Sequence, residues 1–224
     1  MNMMIPTGLE ELNGLLKGGY PERSSILIVG PPGIGKEAIG YWFMHSCLSS
    51  SDFCLYVTRL AVSEVLQDMR AFHVDLADSP MWIASEGAQT KCDITDLASL
   101  SVNIKEALRR DGEGSIRIVA DILSSLLMLN PSETIYRFLS QLLTEIKQRK
   151  AVFLATIEEG MHQPRVLAAM EQLFDGVLEL KLFEEGLRVI PLLRIRKMRG
   201  MPPEPGYFRF SFSQGKMEVS AYVR

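Results

Sequence analysis

Apolar positions along this chain fall into two alternating rhythms. Residues 25–29, Ser-Ile-Leu-Ile-Val, form a short apolar run that stops on Gly30, the pattern of a buried strand feeding a glycine loop. Residues 37–48 follow as a helix that is apolar on most of its surface, and 53–58 read as a second strand. Residues 62–72 place Val62, Val65, Leu66 and Met69 on one helical face, and 81–84 form a short third strand. Thr95 stands where it would cap a helix over 96–110. After a break at 111–114, residues 116–120 give another buried strand that ends on Asp121. The clearest helix is 133–148, with Ile135, Phe138, Leu139, Leu142, Leu143 and Ile146 on one stripe, and a strand at 151–156 follows it. Strands alternating with helices predict an α/β fold, a parallel sheet covered on both faces.

The last third changes rhythm. Residues 177–182, 187–195, 208–212 and 217–222 are strand-like, with Glu184-Glu185-Gly186 and Ser213-Gln214-Gly215 as hairpin turns. An antiparallel β extension is expected to complete the parallel core. No repeat, low-complexity tract or linker interrupts the chain, so residues 1–224 are expected to form one domain.

Composition narrows the function classes. Hydrophobic residues make up 47% and charged residues 23%, a globular balance, and the formal net charge of −3 exerts no global pull toward nucleic acid or anionic lipid. Cys47, Cys54 and Cys92 show no CxxC pair and no His at ligand spacing, so they are expected to be buried thiols rather than a metal site or disulfide set. The first residues lack a basic, then apolar, leader, and no apolar stretch reaches membrane-spanning length. A cytoplasmic protein is the expectation.

The chemistry concentrates at Gly30, Pro31, Pro32, Gly33, Ile34, Gly35 and Lys36, which match the G-x-x-x-x-G-K part of the Walker A pattern. Glycines let successive N–H groups turn toward phosphate oxygens, the helix that follows adds its N-terminal partial positive charge, and Lys36 adds a full one. The alternative is a Gly/Pro turn with a solvated lysine, and the strand–loop–helix order weighs against it. The next position calls for Ser or Thr, whose hydroxyl ligates Mg²⁺, but holds Glu37. At about 4 Å and an effective dielectric near 20, a carboxylate beside phosphate costs on the order of 4 kcal/mol before screening. Glu37 either reaches the metal itself or serves the helix dipole from its first turn. Asp121, after Ile118-Val119-Ala120, is the Walker B candidate: a carboxylate at the end of a strand expected beside the phosphate-loop strand, able to hold water on Mg²⁺. Its alternative role is capping the next turn. Tyr41 and Trp42, near the loop in sequence, read as helix packing rather than a stacking platform.

With these residues in place, the chain resembles the KaiC-like branch of the RecA superfamily. Residues 5–21, I-P-T-G-L-E-E-L-N-G-L-L-K-G-G-Y-P, are similar to the family's lead-in, with its T-G and its Gly-Gly pair before the phosphate-loop strand. The loop itself and D-I-L-S-S-L at 121–126 carry the second likeness, and R-K-M-R-G at 196–200 resembles the K-x-R-G segment that reaches the triphosphate of a neighbouring subunit. The resemblance implies a RecA-like P-loop fold, ATP and Mg²⁺ as ligands, and a homo-oligomeric ring, with a hexamer as candidate form. In that ring Lys197 and Arg199 would act across the subunit interface. Asp121 and Glu37 are the implied metal ligands. The bland reading of Arg194, Arg196, Lys197 and Arg199 is the solvated charge of an edge strand.

The departures shape the functional expectation. KaiC-like ATPases carry paired glutamates after the strand that follows the loop helix, and Arg59, Leu60 and Ala61 stand there instead, with Glu64 further on. Loss of both the metal hydroxyl and the water-orienting acid should cost several powers of ten in turnover. Glu158 and Glu159 are candidates to compensate. An ATP-binding regulatory protein, whose nucleotide orders an assembly with itself or an unidentified protein partner, comes first. An active Mg²⁺-dependent ATPase is the alternative. DNA binding ranks last, because Arg109-Arg110 and the 194–199 cluster are the only basic stretches.

Overall fold

The computed structural model describes residues 3–47, 52–75, 82–85, 96–110, 114–202, 206–213 and 215–222. The lead-in forms β1 (Met4–Ile5), α1 (Glu10–Leu15) and β2 (Tyr20–Pro21), with β1 and β2 paired antiparallel. Its Thr-Gly is a packing device: Gly8 has φ 86°, and a Cβ there would stand 2.1 Å from the backbone oxygen of Trp42. No side chain can occupy that gap, which explains the glycine by close approach to the loop helix.

The body of the chain follows as β3 (Ser24–Gly30), α2 (Lys36–His45), β4 (Phe53–Thr58), α3 (Val62–Ala71), β5 (Trp82–Ala84), α4 (Leu97–Leu108), β6 (Ile116–Asp121), α5 (Leu123–Leu129), α6 (Ser132–Lys147), β7 (Ala151–Glu158) and α7 (Pro164–Leu173). The chain then turns to β8 (Gly176–Glu185), β9 (Arg188–Met198), β10 (Tyr207–Ser213) and β11 (Lys216–Tyr222). One nine-stranded sheet runs β11-β10-β9-β8-β3-β7-β6-β4-β5. From β8 through β5 the neighbours are parallel, and β9, β10 and β11 add on antiparallel.

Alternation along β3 sorts the core into two layers. Ile26 and Ile28 join Tyr41, Phe43 and Met44 of α2 and Val65 and Met69 of α3 on one face. Leu27 and Val29 join Leu100 of α4 and the stripe Ile135, Leu139, Leu142, Leu143 and Ile146 of α6 on the other. Both faces of β3 are covered, which is why the strand reads as an unbroken apolar run.

Four expectations change. The antiparallel extension starts one strand late, because β8 pairs parallel with β3. The basic segment is not an edge strand: β9 lies between β8 and β10, and β11 forms that edge. Asp96 caps α4, its carboxylate accepting from Ala98 N at 3.1 Å and Ser99 N at 3.2 Å, while Thr95 lies outside the described residues. Cys47 and Cys54, both buried, are joined as a disulfide between the end of α2 and β4. They sit in neighbouring core elements with Cα atoms 6.8 Å apart, within bridging reach. Cys92 lies outside the described residues. Among the described residues no helix is long and apolar enough to cross a membrane.

Candidate functional site

β3 is buried along its whole length and delivers Gly30 to the carboxyl edge of the sheet. Pro31, Pro32, Gly33, Ile34 and Gly35 turn the chain, and Lys36 is the first residue of α2. Gly35, the N-cap, has φ 91°, and a Cβ there would lie 3.0 Å from the Phe212 ring of β10. Conformation and space both select glycine. The loop thus puts a helix N-terminus and a lysine at one point, the arrangement that holds phosphate.

The Lys36 side chain is fully buried. Its ammonium donates to Pro31 O at 3.0 Å and to Glu158 Oε2 at 2.9 Å, with Glu37 Oε1 at 3.7 Å. Strand register explains the partner. In the parallel β3–β7 ladder Gly30 stands opposite Glu158. Glu158 N donates to Ser124 Oγ at 2.8 Å, and Glu159 N donates to Gly30 O at 2.9 Å, so the carboxyl end of β7 is fixed against both the loop and α5.

Asp121 ends β6 as the pattern predicts, but β6 does not neighbour β3; β7 lies between them. This interposition brings Thr156 of β7 beside Asp121, and the Thr156 hydroxyl donates to Asp121 Oδ1. The Tyr56 hydroxyl lies 3.5 Å from Oδ2, at the limit of a hydrogen bond. Burial holds the Asp121 carboxyl above the usual carboxylate range, with the Thr156 hydrogen bond opposing and the Glu37 charge adding to the rise. Burial also pushes the Tyr56 phenol well up, so it remains protonated.

A cavity of about 380 Å³ opens over these groups, lined by Glu37, Thr58, Arg59, Asp68, Asp121 and Glu158 among others. The sequence flagged Glu37, Arg59, Asp121 and Glu158; Thr58, Asp68, Ser124 and Thr156 were not singled out, because strand register brings Thr58 and Thr156 to this edge and the packing of α3 and α5 brings Asp68 and Ser124. Glu64 is accounted for: its carboxylate accepts from Ala61 N at 2.8 Å at the start of α3. Glu159 is not among the cavity residues, so of the two candidate compensating acids only Glu158 faces the site. The oxygen-only donors Asp121 and Glu37 share one cavity, a set that suits Mg²⁺, which keeps waters and phosphate oxygens and takes one or two carboxylates. Among the described residues no cluster of three His, Cys, Asp or Glu side chains could hold a metal by itself. A cation here would need the nucleotide's own oxygens. When bound, it would supply charge neutralisation between phosphates.

Lys197 and Arg199 lie elsewhere. Lys197 donates to the backbone oxygens of Glu171 at 3.1 Å, Gln172 at 3.3 Å and Phe174, closing the C-terminal end of α7. Burial lowers the pKa of this ammonium. Arg199 pairs with Asp175 at 3.1 Å and is 66% exposed. Lys197 sits level with the middle of β3, opposite Val177, which is opposite Leu27. Asp175 N bonds to Ser25 O, five residues before Gly30, which places Arg199 ~16 Å of strand away from its own loop at about 3.3 Å per residue.

A nearly parallel sheet with a phosphate loop after β3, an aspartate two strands away and an antiparallel flank define a P-loop protein of RecA-like fold. The family model described as ATPase: KaiC matches residues 5–222, and the chain belongs to that family of P-loop ATPases within the RecA superfamily. It is similar to the UPF0273 protein of Aeropyrum pernix, 25% identical over 216 residues covering 88% of this chain and 85% of that protein. It also matches the circadian clock protein KaiC2 of Synechocystis, 24% identical over 233 residues, 98% of this chain but 39% of the relative. A shorter match, 45% identical over 56 residues, joins it to the DNA repair protein RadA of Rickettsia felis, covering 25% of this chain and 13% of that protein.

Proposed function

We propose that this chain is an ATP-binding regulatory protein in which nucleotide occupancy, rather than rapid turnover, controls assembly with further copies or with a protein partner. The observation that carries the reading is the make-up of one cavity. Asp121 lines it for a metal and Lys36 stands against its Glu158 for phosphate, while Glu37 replaces the metal hydroxyl and Arg59 occupies the rim where a water-orienting acid is needed. Binding groups are retained and turnover groups are not. Gly30, Pro31, Pro32, Gly33, Ile34 and Gly35 would wrap the phosphates, with Mg²⁺ held between them, Asp121 and Glu37.

The distance of Arg199 from its own loop and its exposure support an assembly in which it reaches the nucleotide of a neighbouring copy, as in a closed ring, while Lys197 is engaged by the end of α7. The acidic net charge and the spent arginines of β9 weigh against nucleic acid. A cytoplasmic location suits such a switch and is part of this proposal.

One observation favours a second reading, an active Mg²⁺-dependent ATPase: Glu158 faces the cavity and could orient water once nucleotide takes Lys36 from it. Calorimetric titration of nucleotide-stripped protein with ATP, with and without Mg²⁺, followed by phosphate release, separates the cases. Binding that tightens with Mg²⁺, is lost in Lys36→Ala and proceeds with little release is expected. Brisk release abolished by Lys36→Ala would move the assignment to the ATPase. No binding in either condition would remove both.

A further inference from the structure

We propose that Arg59 reads the terminal phosphate and makes the site discriminate a nucleoside triphosphate from a diphosphate, an inference that rests on the nucleotide reading above.

Arg59 follows Thr58, the last residue of β4, which is the register partner of Asp121. Leu60 N donates to Thr58 Oγ1 at 3.2 Å, and this turn holds Arg59 at its apex on the cavity rim. Four carboxylates line the same cavity, Glu37, Asp68, Asp121 and Glu158, yet Arg59 forms no hydrogen bond or ion pair with any described residue. Lys36, in contrast, is engaged by Glu158 and Pro31 O. Arg117, Arg194, Arg196 and Arg199 are each paired with an aspartate or glutamate. A guanidinium left unpaired beside four acids is available for a ligand with a stronger claim on it, and phosphate accepts its two parallel N–H groups.

Position identifies which phosphate. The loop and the α2 N-terminus anchor the phosphate chain above β3. Arg59 approaches from β4, three strands across the sheet, ~14 Å at about 4.8 Å per strand. With Mg²⁺ between Asp121 and Glu37, the outer phosphates would lie over β6, on the Arg59 side of the loop. A diphosphate held on Lys36 stops short on the loop side, and the added terminal group is the one that comes within reach of an extended arginine. There Arg59 also offsets repulsion from Glu37 and Asp121, adding a second protein cation to Lys36.

The test is titration of the full chain with Mg-ATP and Mg-ADP separately, for the parent, Arg59→Ala, Arg59→Lys and Lys36→Ala. Arg59→Ala should weaken ATP by about tenfold or more and ADP by less than about twofold, the signature of one lost charge-assisted contact to the terminal phosphate. Arg59→Lys should restore part of the loss, because charge returns without the planar fork. Equal losses for both nucleotides, or no change for either, overturn the assignment of Arg59 while leaving the nucleotide site intact. Absence of nucleotide binding by the parent, or undiminished binding by Lys36→Ala, overturns the site itself and this inference with it.

Discussion

Glu158 accepts a hydrogen bond from the Lys36 ammonium at 2.9 Å, although the two residues are 122 positions apart in the chain. The lysine is fully buried and the glutamate side chain is 24% exposed, so the pair is a partly desolvated contact that an arriving phosphate must replace. Glu158→Gln keeps an acceptor for the lysine but removes the competing charge. Its empty form should be less stable by about 1–3 kcal/mol, the cost of weakening a partner to a buried charge. ATP should nevertheless bind it about threefold tighter or better. Thermal unfolding and calorimetry read the two effects. Weaker ATP binding would mean that Glu158 assists the nucleotide rather than competing with it.

Glu37 lies 3.7 Å from the same ammonium and faces the same cavity. Glu37→Thr introduces the hydroxyl that Mg²⁺ favours and removes a charge beside the phosphates. The Mg²⁺-dependent gain in ATP affinity should grow by about fivefold or more. A smaller gain would identify the glutamate as a working metal ligand.

Asp121 links stability to pH. Its carboxyl is held above the usual range by burial, so the folded chain keeps this proton to a higher pH than the unfolded chain does. Between those two titrations the native state binds more protons, and stability contributed here falls as pH rises through that window. Asp121→Asn removes the effect. Urea unfolding in buffers from about pH 4 to about pH 8 should show a variant more stable at the neutral end with a flatter pH dependence. The same variant should lose most of the Mg²⁺ enhancement of ATP binding. A variant less stable than the parent at neutral pH would contradict the burial argument.

Lys197 and Arg199 should separate cleanly. Lys197→Met uncaps the end of α7 and should cost about 1–2 kcal/mol, or roughly 2–8 °C in Tm for a chain of this size. Arg199 is mostly exposed, and Arg199→Ala should stay within about 0.5 kcal/mol of the parent. If the neighbouring-copy role holds, Arg199→Ala instead loses ATP-dependent assembly in sedimentation velocity. An assembly unaffected by Arg199→Ala would remove this residue from the interface.

The Cys47–Cys54 bridge spans a separation of only seven residues, so its entropic contribution is modest, about 2–3 kcal/mol. Adding reductant, or making Cys47→Ser, should lower Tm by roughly 4–10 °C. Three titratable thiols in the unfolded, unreduced protein would show instead that the pair is free.

Much of this protein was legible residue by residue. The apolar run into Gly30, the segment 53–58, which forms β4 with the same bounds, and the stripe of α6 follow from local periodicity, because each element buries a face that its own sequence marks. Lys36, Glu37 and Asp121 were readable because their chemistry sits in fixed short patterns at strand ends. Short α5 and the modestly apolar α7, with Met170 its one buried residue among those described, carry too little periodic signal to show as helices. The order of the strands is not written in any single stretch. Interposing β7 between β3 and β6 is what sets Thr156 on Asp121 and Glu158 on Lys36, and pairing β9 with both neighbours is what turns a basic segment inward onto α7. Those contacts arise from the register of strands far apart in sequence. That register is chosen by the sum of many packing contacts across both faces of the sheet, so tertiary structure alone decides which charges meet in the site.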